Sequence, residues 1–505
     1  MKTQIQTNIR SLSALLENLR DGLIQAPPFQ REFVWKRKQI QELFNSIING
    51  YPIGSILIWR PREPQTWAQN REIGGFILPN SREPKSYVLD GYQRLSSLFG
   101  CLTNPRTAGL DFDQKRRSEL FNLYLDLAKK EFIYPNGKPL PCQVPVCNLL
   151  STRDFRQYSR SVLEPAVADA DLLDSYLDTA DTFISIIGEY KLAVIEVDGA
   201  DINDAVTIFS LINSKGTTIS PNWKINALSF SNDFDFSKEV NGVIEKLKDY
   251  NFNKISRDTI FRCYQSAFDD NLYIDTDIDT LAKHPEFKEG VRKMSDGIVK
   301  AVDFLFNELN VIDHKLLPYT AQLVFLSVFF MKEPHPSYRQ IEDLKRWFWV
   351  TTYSNYFTAN PLSGQRKAFT HFLEYIDGWE EEPLYDENPY KQMKAQPWPE
   401  KFSLSSARCA ALALFQLMWI KSQFASLPDK RKLVIKRIFK EMDSYPANMI
   451  VTFSDASTRH ALPFFGHDFA SKVSPDDRNG VLTYRHLRLE NEERLFVENL
   501  GLTYE

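Results

Sequence analysis

The chain has 505 residues, a formal net charge of -4 and 25% charged residues. That length suits two or three domains, and the balance excludes a protein coated in nucleic-acid-binding surface. Hydrophobic residues at 43% suffice for large cores, yet no run approaches the ~20 consecutive apolar residues of a membrane helix.

The polar start, Met1 to Arg10, lacks an apolar signal core, so a cytoplasmic protein with no membrane partner is expected. Cys101, Cys142, Cys147, Cys263 and Cys409 are scattered, without a second pair at zinc spacing, and read as free thiols. Charge is uneven: residues 1–100 hold 13 Lys/Arg against 8 Asp/Glu, which suits a local anionic ligand.

In chain order, Leu12, Leu15, Leu16 and Leu19 recur at helical spacing and predict an amphipathic helix over residues 10–25, ended by Pro27-Pro28. A polar-aromatic loop, Phe29-Gln30-Arg31-Glu32-Phe33-Val34-Trp35, leads to a second helix over 36–49, which Gly50 stops. Gly54-Ser55-Ile56-Leu57-Ile58-Trp59 predicts a buried strand. Residues 60–85, rich in Pro, Arg, Gly and Asn, read as an exposed excursion. Tyr87-Val88-Leu89 is then a strand, Asp90-Gly91 a turn and Tyr92 to Leu102 a helix.

Residues 121–127 and 131–134 predict a hairpin, 171–190 a helix and 191–197 a strand. A helix from Ile202 to Leu211 runs into the loop Asn213-Ser214-Lys215-Gly216-Thr217-Thr218. Beyond about residue 222, segments 257–268, 290–309, 315–331, 340–356, 365–376, 405–424 and 429–442 all carry helical apolar periodicity. The last sixty residues read as mixed and turn-rich. The expected fold is α+β, with an α/β domain over 1–230, a helical domain over 231–445 and a small segment over 446–505.

The chain lacks GxxxxGK[ST], GxGxxG after a strand and GxSxG, which removes the main signals for P-loop, Rossmann and α/β-hydrolase chemistry. Two Gln-Arg pairs stand out instead: Gln30-Arg31, and Gln93-Arg94 in the first turn of a helix after Asp90-Gly91. A helix N-terminus presents N–H groups and partial positive charge. Gly91 allows close approach to the backbone, and an arginine fork there suits bidentate capture of phosphate. Two plainer roles stay open: Asp90 as helix N-cap, and Arg94 in a salt bridge.

Three blocks carry a resemblance. They are Pro27 to Trp35 with Gly50-Tyr51-Pro52-Ile53-Gly54-Ser55; Val88-Leu89-Asp90-Gly91-Tyr92-Gln93-Arg94-Leu95; and Ile208 to Gly216. In that order they resemble the GmrSD-type family of phage-restriction proteins over residues 8–230. Trp347-Phe348-Trp349 and Ser405-Ser406-Ala407-Arg408 extend the likeness into the helical region.

The resemblance implies a ParB/sulfiredoxin-like core that binds, and in many members hydrolyses, a nucleoside triphosphate, with Mg2+ as the candidate cation. Asp90, Gln93 and Arg94 match the family's Asp-Gly-Gln-Gln-Arg signature and would form the catalytic set. Gln30, Arg31, Gly91, Tyr92, Asn213, Lys215 and Gly216 would border the nucleotide. Tyr92 departs from the signature's first Gln. By the same likeness, a separate protein effector and DNA are candidate partners in anti-phage defence. The plainer reading of Gly216 is a helix C-cap.

Relatives of this type often end in an HNH-type nuclease. Here His460-Ala461-Leu462-Pro463, His467, Asn479 and His486 resemble it faintly, but Arg459 replaces the expected tandem His. A structural tail is therefore expected, with a modification-dependent DNA endonuclease and a non-catalytic scaffold as the alternatives. The aromatic set Trp347, Phe348, Trp349, Tyr353, Tyr356 and Phe357 is expected to pack helices together rather than stack bases.

Overall fold

A computed structural model describes residues 3–27, 30, 33–62, 72–79, 86–213, 221–231, 233–268, 270–386, 393–422, 431–454 and 477–504. The chain forms two compact units, Met1–Asp235 and Phe236–Glu505. A mixed sheet organises the first and helices dominate the second, so the fold is α+β.

The first unit opens with β1 (Gln4–Ser11) and α1 (Leu12–Arg20), then β2 (Ile24–Gln25), α2 (Arg37–Ile48) and β3 (Ile56–Pro61). Next come a hairpin of β4 (Glu72–Ile73) and β5 (Phe76–Ile77), then β6 (Ser86–Asp90) and α3 (Tyr92–Leu102). β7 (Asp111–Phe112) precedes a single helical turn, α4 (Gln114–Arg116), that widens into a π-helical turn at Arg117–Phe121. A small sheet of β8 (Tyr124–Asp126), β9 (Glu131–Ile133) and β10 (Gln143–Pro145) follows. The unit closes with α5 (Thr152–Tyr158), α6 (Ala170–Glu189), β11 (Lys191–Ala200), α7 (Ile202–Asn213) and α8 (Pro221–Ser229).

The main sheet runs β1-β11-β3-β6-β2. β11 pairs parallel with β3, and β3 antiparallel with β6. Because side chains alternate along a strand, the central strands supply two cores. Ile56, Ile58 and Val88 face a large cluster with α1, α2, α3 and α6. Leu57, Trp59, Tyr87 and Leu89 face a second cluster with Ala205, Val206 and Ala227 of α7 and α8.

Four expectations need correction here. The first helix is shorter than residues 10–25. Residues 4–11 pair with β11 as a strand, Ser11 caps α1 by accepting from the Ala14 N–H, and the chain turns at Gly22, whose φ is +71°, before the two prolines. Residues 60–85 are not wholly an exposed excursion, because Ile73, Phe76 and Leu78 are fully buried. Of the helix expected over 429–442, the described residues 431–442 are not helical: β12 (Leu433–Arg437) pairs antiparallel with β13 (Met449–Phe453), as the β-branched Val434 and Ile435 favour. The last sixty residues contain a 22-residue helix, Arg478–Asn499.

In the second unit, the helices Phe287–Asn307 and Thr320–Lys332 bury most of their length. Trp347, Phe348, Trp349, Tyr353, Tyr356 and Phe357 are all buried, as expected of packing residues. Arg408 and Glu493 form a bidentate buried ion pair at 2.8 and 2.6 Å. The hydroxyls of Tyr353 and Tyr504 donate to the same carboxylate, so the desolvated charge is fully met by partners.

Among the described residues, no helix is long and apolar enough to cross a membrane. All five cysteines are free thiols.

Candidate functional site

The strand–turn–helix unit lies where the sequence places it. β6 ends at Asp90, and α3 spans Tyr92–Leu102. One correction applies: the N-cap of α3 is Gly91, not Asp90. Gly91 has φ +86°, and a Cβ there would stand 2.5 Å from Ile56 Cδ1, so only glycine fits the corner.

The corner is sharpened by a bulge. Ile58 pairs with Val88 but Leu57 pairs with Asp90, so β6 carries one extra residue opposite β3, which re-aims the strand end. The ladder of α3 begins with Leu95 N–H donating to the Gly91 carbonyl at 2.9 Å. The earlier amides of the first turn point out of the helix end.

Two glutamines hold the corner to the facing loop. Gln30 Nε2 donates to the carbonyls of Val88 (2.8 Å) and of Leu89 (3.2 Å), the bulged residue. Gln93 is 4% exposed, and its Oε1 accepts from the N–H groups of Val34 (2.9 Å) and Trp35 (3.3 Å). Both therefore hold backbone in place, a role not included in the sequence reading of Gln30 as nucleotide-bordering and Gln93 as catalytic. Arg31 falls outside the described residues.

Arg94 is held from two sides. Its Nη1 donates to the Ile53 carbonyl at 2.7 Å, and its Nη2 to Asp90 Oδ2 at 3.2 Å. The salt-bridge alternative for Arg94 is thus realised, with its side chain 18% and that of Asp90 31% exposed. A guanidinium has five N–H donors, so two contacts fix its plane and leave donors for an anion.

Gly54 makes this geometry achievable. Its φ is +86°, and a Cβ on it would lie 2.2 Å from Arg94 Nη1. The sequence reading places Gly54 at the start of a strand and in the first resemblance block, without a role beside Arg94. Pro52 and Gly54 punctuate the sequence just before β3, and that punctuation was the available signal.

Tyr92 is buried, and its hydroxyl donates to the Glu72 carbonyl at 3.2 Å. It points along the β4 hairpin rather than acting as an amide would. Asn213 ends α7, but its side chain, Lys215 and Gly216 lie outside the described residues. So do His460 and His467. His486 is on the helix Arg478–Asn499, packed against Trp398 with ring centroids 4.7 Å apart, and its Nε2 is 3.5 Å from Glu490. Asn479 is in the first turn of the same helix.

The arrangement gathers Gln30, Asp90, Gly91, Gln93 and Arg94 at one sheet edge. It offers a helix N-terminus, a fixed guanidinium and one carboxylate, which is chemistry suited to phosphate with a divalent cation.

Two comparisons bear on the same region. The chain is 23% identical over 467 residues to the protein printed as "Uncharacterized protein MJ0686" of Methanocaldococcus jannaschii, a match covering 82% of this chain and 76% of that relative. Residues 12–230 match the family described as GmrSD restriction endonuclease, N-terminal domain. That span contains the bulged β6, the Gly91 corner and every residue that fixes Arg94, so the site lies within the part of the chain that is similar to the GmrSD-type N-terminal domain.

Proposed function

We propose that the first unit binds a nucleoside triphosphate at the Asp90–Arg94 turn, and that its nucleotide state governs a restriction-type defence activity delivered with a separate protein effector. The observation that carries this is the fixed Arg94 guanidinium beside the outward amides of α3. A helix N-terminus and an immobilised arginine both favour a polyphosphate. The family description, a restriction endonuclease N-terminal domain, supports the defence setting.

The donor set fits Mg2+, which binds through one or two carboxylates together with substrate phosphates; Asp90 is the carboxylate that would hold it. When bound, the cation would supply neutralisation of the phosphate oxygens. Arg94 would meet the phosphate charge from the protein side, with Asp90 and the Ile53 carbonyl keeping its plane fixed. Gln30 and Gln93 would act as positioning residues, holding the loop over the corner.

The test is calorimetric titration of the full chain with each of the four triphosphates and magnesium. At least one should bind, and ligand at a hundredfold over Kd should stabilise the fold by about 2.7 kcal/mol. Arg94→Ala should weaken that binding at least about tenfold. Absence of binding by all four, or unchanged affinity in Arg94→Ala, would refute the site. Phosphate release in the same samples decides between binding and turnover.

A further inference from the structure

At the far end of α3 from Gly91 lies a partly open pocket of about 170 Å³, lined by Cys101, Phe112, Phe121, Leu123, Cys147 and Arg117 together with the polar Gln114, Ser118 and Asn122. No carboxylate lines it. Arg117 is 8% exposed. Its Nη1 donates to the Gly100 carbonyl at 2.9 Å, and its guanidinium stacks 4.1 Å from the centroid of Phe76. The other buried arginines among the described residues are better supplied: Arg408 has the Glu493 carboxylate, Arg431 has the amide oxygens of Asn307 and Asn310 and the Phe306 carbonyl, and Arg485 has the carbonyls of Ala447 and Met449 and the amide oxygen of Gln416. Arg117 has one acceptor among the described residues, and burial lowers its pKa with no carboxylate acting to restore it.

The backbone is shaped around this group. A Cβ on Gly75 would lie 2.8 Å from Arg117 Cγ, and one on Gly100 2.5 Å from Phe121. Arg117 and Phe121 begin and end the π-helical turn, a distortion that concentrates at functional sites. Burial raises the Cys147 thiol; Arg117 is the first charge to oppose that, ahead of Arg106, while Asp154 adds to it.

We infer that this cavity is a binding site for a small organic anion, whose charged group pairs with Arg117 and whose single-ring apolar body lies against Phe112, Phe121 and Leu123. A buried guanidinium with donors to spare gains most from a charged acceptor, because the charge-assisted bond forms away from water. The size sets the body, since an apolar cavity of about 150 Å³ holds one benzene. The site is independent of the nucleotide reading and stands whether or not that reading holds.

The probe is benzoate, with benzyl alcohol as a neutral molecule of similar size and inorganic phosphate as a bare anion. Alkylation of each cysteine in the full chain is followed by mass spectrometry. Benzoate should slow alkylation of Cys147, leave Cys142 unchanged, and bind at least about tenfold more tightly than benzyl alcohol or phosphate. Arg117→Met should abolish the protection, and Arg117→Lys should keep part of it. Equal protection by benzyl alcohol, equal protection by phosphate, no protection by benzoate, or full protection in a folded Arg117→Met would each overturn the proposal. Should Arg117→Met not fold, as judged by circular dichroism, the three probes on the unsubstituted protein decide alone.

Discussion

Arg94 owes its orientation to a residue forty positions away. Gly54 leaves the space that Arg94 Nη1 occupies, since a Cβ there would lie 2.2 Å from that nitrogen. Gly54→Ala should therefore act twice. The positive φ is strained for any L residue, which should lower stability by about 1–3 kcal/mol. The methyl group should also displace Arg94 from the Ile53 carbonyl, and triphosphate affinity should fall about tenfold. Gly50→Ala separates the two effects: Gly50 has φ +69° but nothing within 4 Å of a built Cβ. It should lose stability and keep affinity. Unchanged affinity in Gly54→Ala would mean that Arg94 does not meet the ligand.

At the scale of elements, the corner between β6 and α3 works as a unit because two amide side chains hold it. Gln93→Leu would leave the N–H groups of Val34 and Trp35 without that acceptor, at a cost of about 0.5–1.5 kcal/mol for each lost hydrogen bond. Hydrogen exchange at those two amides should quicken while Leu125, in the small β8 sheet, stays protected. Equal exchange in the variant and the original protein would show that the loop is held by something else.

Legibility follows the same division. The bounds of α3 are readable because Asp-Gly is sharp punctuation before a periodic apolar run. The bulge at Leu89 is not, since it exists only against β3. Nor is the contact between Gly54 and Arg94, which joins segments with no local signal in common. The site residues Asp90, Gly91, Gln93, Arg94 and Gln30 could be named from sequence and do converge. The backbone-holding roles of the two glutamines could not, because their partners are main-chain groups. Residues 433–437 mislead for another reason. The three apolar residues Leu433, Val434 and Ile435 between Lys432 and Lys436 fit both periods, and only pairing with Met449–Phe453 selects the strand.

Across the whole molecule, burial of ionisable groups makes the fold sensitive to alkali. Burial pushes the phenols of Tyr87 and Tyr158 up to about 12. Burial and then the Asp303 carboxylate do the same to Tyr250, also to about 12. Burial raises the thiol of Cys147 to about 11 and that of Cys263 to about 12. In each case the folded state keeps a proton that the unfolded chain releases from about pH 9 for thiols or 10 for phenols. The unfolded state then binds fewer protons, so stability falls as pH rises. Their contribution is fully present below the unfolded values and lost by about pH 12.

Arg485 works in the opposite direction. Burial lowers its pKa to about 9, so above that pH the folded state holds fewer protons than the unfolded one and stability rises. Burial lowers Arg117 and Lys421 as well, but the raised phenols and thiols outnumber these three, and each fully differing proton is worth about 1.4 kcal/mol per pH unit. The expected outcome is a urea midpoint that declines from pH 9 and falls most steeply between about pH 10 and 12, with tyrosinate absorbance appearing together with unfolding. Arg485→Met removes its opposing contribution and should steepen the decline relative to its own value at pH 8. A midpoint that holds steady or rises between pH 9 and 11.5 would show that these phenols and thiols titrate in the folded protein as they do in the unfolded chain.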